Sequence, residues 1–411
     1  MDTVNWGRFF RSCGMVVIGT TALISCSTAP PPPPAPPKVD AQPVAGATDI
    51  SPAGPIKLGV TGGRLANVEL TSADGKKVPG EVTPDGRSWK PTEQLEYGTS
   101  YTWSGLANGQ GGTRSPVNGS FTTVEPSSQP RATINIADGQ EVGVAAPIII
   151  DFAGPVQDRA AVEKALSVHT SEPTEGSWAW LPDTQKGSRV HWRPKEYWKP
   201  GTQVTVDAPL YGVPFGDGAY GQENLTSHFK IGRSQIVKAD VTSHQMQVIR
   251  DGQQVANYDA SYGLASDPDR ATRSGIHVVS GKAATQRMTS AQYNYDLNEK
   301  WAVRLSNNGE FIHANPASSG SQGSSNVTHG CVNLSNADGH EYFQSAMYGD
   351  PVEVTNSSKQ LSEADGDIWD WTVPWEEWRG MSALAQPEPP AQPEQPAQPP
   401  AHPQVGAQHP Q

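Results

Sequence analysis

The chain has 411 residues, 41 glycines, 37 prolines and a formal net charge of −12. Such an acidic chain has no electrostatic footprint for nucleic acid and no basic patch for anionic lipid, which excludes those partners on charge. A composition rich in Gly and Pro and low in charge fits an exported, mainly β protein, and the length calls for several domains rather than one core.

Arg8 and Arg11 precede an apolar run from Met15 to Ile24. The run is too short to span a bilayer and has the length of an export-signal core. Leu23-Ile24-Ser25-Cys26 then has the small residues and terminal cysteine of a bacterial lipobox. Residues 1–26 are therefore read as a lipoprotein signal whose cleavage leaves lipid on Cys26; secretion without lipid is the simpler alternative. Acyl chains contribute about 0.8 kcal/mol per buried CH2, so the protein is expected outside the cytoplasm, anchored to the cell membrane and facing the periplasm or cell wall. Residues 27–47 follow as a proline-rich linker. The unbroken run Pro30 to Pro34 favours polyproline II, at about 3.1 Å per residue, and would hold the body off the membrane.

An internal repeat comes next. Trp89-Lys90-Pro91-Thr92-Glu93 recurs as Trp192-Arg193-Pro194-Lys195-Glu196, and the register holds through Gly98-Thr99 and Gly201-Thr202. Alternating patterns follow in both copies (Tyr101 and Trp103; Val204 and Val206), and each copy closes near a phenylalanine, Phe121 or Phe229. Short strands separated by turn residues predict two immunoglobulin-like β-sandwiches, at 48–125 and 130–233. Their plainest role is a rigid stalk, with Trp178, Trp180, Trp192 and Trp198 as packing residues.

From 234 to 355 the pattern changes to a β-rich catalytic domain. Ile236–Val241, Met246–Ile249, His277–Val279, Ala302–Leu305, Phe311–His313 and Val352–Val354 read as strands. One helix is expected to pack on them, with Ser335 as N-cap and Asp338 three residues on. Residues 356–384 hold Trp369, Trp371, Trp375 and Trp378, a density that suits packing onto a neighbouring domain; stacking on carbohydrate is the alternative. Residues 385–411 repeat Pro, Ala and Gln and bury too little to fold.

Of three cysteines, Cys13 and Cys26 belong to the signal, leaving Cys331 as the sole thiol of the mature chain. An exported protein cannot pair a lone thiol internally, so its presence points to chemistry. A thiol attacks carbonyls as thiolate, and a hydrogen-bonded imidazole supplies that state. His313 and His329 are both candidates. His329 is nearer in sequence, but a turn at Gly330 would alter the facing of residues two apart. The backbone N–H groups of Gly330 and Cys331 are natural oxyanion donors. Zinc held by His313, His329, Cys331 and His340 is a weaker reading, because there is one thiolate and no CxxC pair. A buried inert cysteine is the blandest one.

His313, fourteen residues, then Thr328-His329-Gly330-Cys331-Val332-Asn333 resembles the signature of the L,D-transpeptidase (YkuD) family. Phe311-Ile312-His313-Ala314-Asn315-Pro316, Gly320 to Gly323 and Asn326 to Cys331 are similar to its mycobacterial branch. The lipid anchor, paired sandwiches and proline-rich tail resemble the lipoprotein class of those enzymes, class five. The resemblance implies Cys331 as nucleophile, His313 as general base oriented by the carbonyl of Ala314, and His329 hydrogen-bonding near the thiolate and positioning substrate. It implies Gly330 and Cys331 amides as the oxyanion hole, and Asn333, Tyr295, Met288 and Ala314 around the substrate. Many relatives have Ser where this chain has Ala314. Thr272-Arg273-Ser274-Gly275 resembles the family's turn beside the pocket.

The implied reaction is cofactor-free and metal-free. Cys331 takes the third-residue carbonyl of a peptidoglycan tetrapeptide stem, expels D-Ala, and passes the acyl group to a neighbouring stem's amine, giving a 3→3 cross-link. Carbapenem β-lactams are expected to acylate the same sulfur. The rivals are an L,D-carboxypeptidase, in which water replaces the amine, and a non-catalytic cell-wall scaffold lipoprotein.

Overall fold

The computed structural model describes residues 34–366 and 368–385. The export signal with Cys26, the start of the proline run and the tail from residue 386 lie outside the described residues. No helix among the described residues is long and apolar enough to cross a membrane.

Two four-stranded sheets form the first sandwich. One is ordered Lys38–Gln42, Lys57–Thr61, Ser88–Pro91, Gly80–Val82; the other Lys77–Val78, Gly63–Ser72, Ser100–Gly109, Arg114–Thr122. Alternation along Ser100–Gly109 sends Tyr101, Trp103 and Ala107 into the core. There Trp103 meets Trp89 edge-on, with centroids 5.0 Å apart. The expectation of a linker through residue 47 is corrected here: Lys38–Gln42 is a strand, paired antiparallel with Lys57–Thr61. Val39 and Ala41 are too small to announce a strand in sequence, yet they pack on the core as its edge.

The second sandwich repeats the plan. Gly176–Thr184, Gly187–Pro194, Ile148–Phe152 and Ala132–Ile134 make one sheet; Glu141–Val142, Leu225–Ile231, Gln203–Ala208 and Ser167–Thr170 make the other. The repeated Trp-x-Pro is held in the same way in both copies. Trp89 lies across Gly80 on the neighbouring strand, and Trp192 lies across Gly176. A Cβ on Gly80 would fall 2.0 Å from the Trp89 ring, and one on Gly176 would fall 1.9 Å from the Trp192 ring. Only glycine leaves room for the indole to lie flat on the adjacent backbone.

The third module packs a five-stranded sheet against a four-stranded one. The first is ordered Gln253–Asp259, Gln245–Arg250, Gln235–Asp240, Pro351–Thr355, Gly275–Val278; the second Gly281–Ser290, Tyr295–Arg304, Phe311–Ala314, Val332–Leu334. Val237, Val248, Val303, Ile312, Val332 and Leu334 share one core with Tyr342 of the helix Asn336–Ser345. That helix begins where the Ser335 hydroxyl accepts from the Asp338 amide at 3.1 Å.

The chain then returns to the second sandwich. Trp369, Val373 and Trp378 bury against Ala179 and Leu181. Trp378 Nε1 donates to the Ser177 carbonyl at 3.0 Å, and Trp371 Nε1 to that of Ala145 at 2.9 Å. The Arg193 guanidinium lies over the rings of Trp371, Trp375 and Trp378 at 4.8, 5.3 and 4.9 Å. His191 and Asp370 meet beneath them at 3.0 Å. Asp365 pairs with Arg273, so the same segment also touches the catalytic module.

Candidate active site

Parallel pairing makes the site. Phe311–Ala314 runs parallel to Val332–Leu334, with His313 opposite Asn333. Cys331 immediately precedes the second strand, so the pairing brings the thiol to the imidazole across a connection that parallel strands require. The connection is firmly pinned. Asn326 accepts from the Tyr262 amide at 3.0 Å and donates to the Val241 carbonyl at 2.9 Å. Thr328 N–H donates to the Tyr262 carbonyl at 3.0 Å, and the Thr272 hydroxyl to the Gly330 carbonyl at 2.8 Å. Gly330 sits at φ +109°, a conformation that side chains resist.

The cavity so formed measures about 350 Å³ and is lined by Cys331, His313, His329, Asn333, Tyr295 and Met288, among others. His313 is 3% exposed. Its Nδ1 lies 3.1 Å from the Ala314 carbonyl, which only accepts, so Nδ1 carries a proton and Nε2 is left for the thiol. Burial alone would lower this imidazole; the Cys331 side chain and then Glu299 oppose it, and the balance pushes His313 up to about 10. The Cys331 sulfur is half-buried and also lies 3.5 Å from the Gly309 carbonyl.

Three expectations need correction. His329 makes no hydrogen bond to the thiol among the described residues. The turn at Gly330 sends its ring outward, against Tyr293 and Tyr295 at centroid distances of 4.4 and 5.4 Å. There burial, and after it Arg270, holds the imidazole below its ordinary value. Ala314 does not face substrate. Strand alternation turns it away from the cavity, where it is 1% exposed beneath Gly339 of the helix, so only its carbonyl serves the site. The Gly330 amide is not a free oxyanion donor: it donates to the Thr328 hydroxyl at 3.3 Å, which itself donates to the Cys331 carbonyl at 2.6 Å. Asn333 is 4% exposed and donates to Ser318 Oγ at 3.3 Å. His340, named with the possible zinc ligands, stacks on Trp301 at 4.4 Å instead of joining the others.

Sequence reasoning missed Glu299, Leu297 and Tyr293, which all line the cavity. The signal was available for two of them. Tyr295, Leu297 and Glu299 are alternate residues of one strand and share the face on which Tyr295 was expected.

Comparison with known proteins agrees with this architecture. Residues 47–214 match the bacterial Ig domain family, across both sandwiches, and residues 234–354 match the L,D-transpeptidase catalytic domain, YkuD. The chain is 50% identical over 380 residues to L,D-transpeptidase 5 of Mycobacterium tuberculosis (strain H37Rv), covering 91% of this chain and 84% of that one. It is 35% identical over 358 residues to L,D-transpeptidase 2 of the same species (strain CDC 1551), covering 85% and 86%. The solved structure of LD transpeptidase LdtMt1 in complex with imipenem aligns at 33% identity and TM-score 0.47, over 55% of this chain and 99% of that chain. Fold and sequence together define a mainly β, multidomain transpeptidase. The chain belongs to the L,D-transpeptidase family, and its function is that of an L,D-transpeptidase.

Proposed function

We propose that Cys331 carries the transpeptidation as a covalent nucleophile, with His313 as its general base. The observation behind this reading is the thiol–imidazole pair in an open cavity, with the far imidazole nitrogen held by the Ala314 carbonyl. His313 Nε2 takes the thiol proton. The sulfur attacks the third-residue carbonyl of a tetrapeptide stem, and the imidazolium returns the proton to the departing D-Ala amine. The side-chain amine of a second stem then opens the thioester and closes a 3→3 cross-link. The Cys331 amide is the remaining candidate oxyanion donor, since that of Gly330 is engaged with Thr328. His329, with Tyr293 and Tyr295, forms an aromatic wall suited to holding a stem rather than moving a proton.

The same thiolate is expected to open carbapenem β-lactams, leaving a covalent adduct. Lipid on Cys26 and export to the outer face of the membrane would set this site toward peptidoglycan, the polymer it acts on. Cys331→Ala tests the central claim. It is expected to lower stem cross-linking on the order of 10⁴-fold or more and to leave no carbapenem adduct by intact mass. An adduct surviving that substitution would move the nucleophile elsewhere.

A further inference from the structure

The imidazole of His313 has a second neighbour besides the carbonyl behind it. Glu299 Oε2 lies 3.6 Å from Nδ1, and the Glu299 side chain is only 14% exposed. Strand alternation aims it inward with Tyr295 and Leu297, into the cavity that holds the thiol. A backbone carbonyl orients a histidine but carries no net charge; a carboxylate at this distance also favours the imidazolium. From the geometry we infer that Glu299 is a positioning residue for the reaction, acting through His313 as the negative member of a Cys331–His313–Glu299 relay. This rests on the reading of Cys331 as the nucleophile.

No proton reaches the carboxylate in this scheme. The Nδ1 proton stays on the ring, shared in direction between Ala314 O at 3.1 Å and Glu299 at 3.6 Å. The thiol proton moves to Nε2, and Glu299 balances the charge that appears on the ring. Among the described residues that line the cavity, Glu299 is the only carboxylate. From its own strand Tyr295 joins it; from the Cys331 loop come the thiol and His329; the segment carrying Asn315, Ala317, Ser318 and Ser321 brings no charge. Lys300, next in the strand, is exposed and points to the other face. Against the opposite face of the His313 strand lies helix residue Gly339, which has no side chain. Burial pulls the imidazole proton off, and the Cys331 and Glu299 side chains together hold it on.

The test is an NMR titration of the His313 ring in the full-length protein labelled in histidine, with the resonance assigned by its absence from His313→Asn. Glu299→Gln keeps the shape and removes the charge; the midpoint is expected to fall by about one pH unit or more, a tenfold loss of proton affinity. Glu299→Asp, with the charge drawn back, is expected to fall between. Carbapenem acylation of Glu299→Gln should lose rate at the alkaline end of its profile first, which a purely structural role would not do. Coincident midpoints in wild type, Glu299→Gln and Glu299→Asp would overturn the proposal. Its failure is separable from failure of the nucleophile assignment, because that shows as an adduct persisting in Cys331→Ala whatever the His313 midpoint does.

Discussion

Among the described residues three histidines lie buried beside a carboxylate; one is His277, 4.0 Å from Glu310, and the other two, His191 and His313, serve different ends. His191 meets Asp370 at 3.0 Å, with both side chains enclosed between the second sandwich and the C-terminal segment. His313 meets Glu299 at the longer distance of 3.6 Å, but its other nitrogen is turned to a thiol in an open cavity. The closer pair is the structural one. Proximity of acid and imidazole therefore does not make a reactive site; a third reacting group and a path for substrate do. At the first pair the Arg193 guanidinium lies near enough for its charge to interact with that of Asp370. At the second the charge is left for the chemistry to use.

That contrast sets where damage should fall. Asp370→Ala strips the carboxylate from beside a fully buried imidazole and the Arg193 guanidinium. Breaking such a pair costs about 3–5 kcal/mol. The loss should appear in urea unfolding as an early transition of the second sandwich and the C-terminal segment packed on it, read by tryptophan fluorescence, since this molecule need not unfold in one step. Acylation per folded molecule should stay within about twofold of wild type. A large loss of acylation with unfolding unchanged would reverse the roles given to the two pairs.

The pH dependence separates them further. His313 stands at about 10 against an ordinary value of 6.5. Its proton therefore favours the folded state fully below about 6.5, and this contribution is lost as the pH rises through about 10. For catalysis, the proton that His313 takes from the Cys331 thiol stays on the ring across neutral pH, ready for the leaving amine. Carbapenem acylation is expected to decline only above about pH 10, roughly tenfold per unit. A descending limb near 6.5 would mean that the thiol and Glu299 do not hold the proton as drawn.

The parts readable from sequence are those whose partners lie close along the chain or share a pattern. Cys331 and His313 announced themselves through a spaced motif, and the sandwiches through the repeated Trp-x-Pro. Ser335 with Asp338 marked the helix start within one turn. What stayed hidden depends on distant or featureless partners. Lys38–Gln42 offers only Val39 and Ala41 to a core. Asp370 finds His191 across 179 residues. Gly80 and Gly176 matter because an indole on another strand needs their missing side chains. The turn at Gly330 was foreseeable as altering how His329 faces, but not that its ring would settle on Tyr293 and Tyr295 rather than beside the thiol, since those tyrosines come from a separate strand and loop.

The smallest effect on acylation is expected at Ala314, whose side chain points away from the cavity. The carbonyl of residue 314 orients His313, whereas its side chain faces the helix on the far side of the strand. A Cβ built on Gly339 would already stand 3.0 Å from the Ala314 Cβ, so the packing there is close. Ala314→Ser adds a hydroxyl to that close-packed face, which costs about 1–3 kcal/mol of stability, and leaves the carbonyl where it is. Acylation by a carbapenem should remain within about twofold of wild type, followed by stopped-flow fluorescence. A gain beyond tenfold would mean that a hydroxyl at 314 reaches the imidazole after all. The carbonyl and Glu299 would then be an incomplete account of how this histidine is held, and the likeness between the two buried pairs would rest on a missing third contact rather than on the thiol.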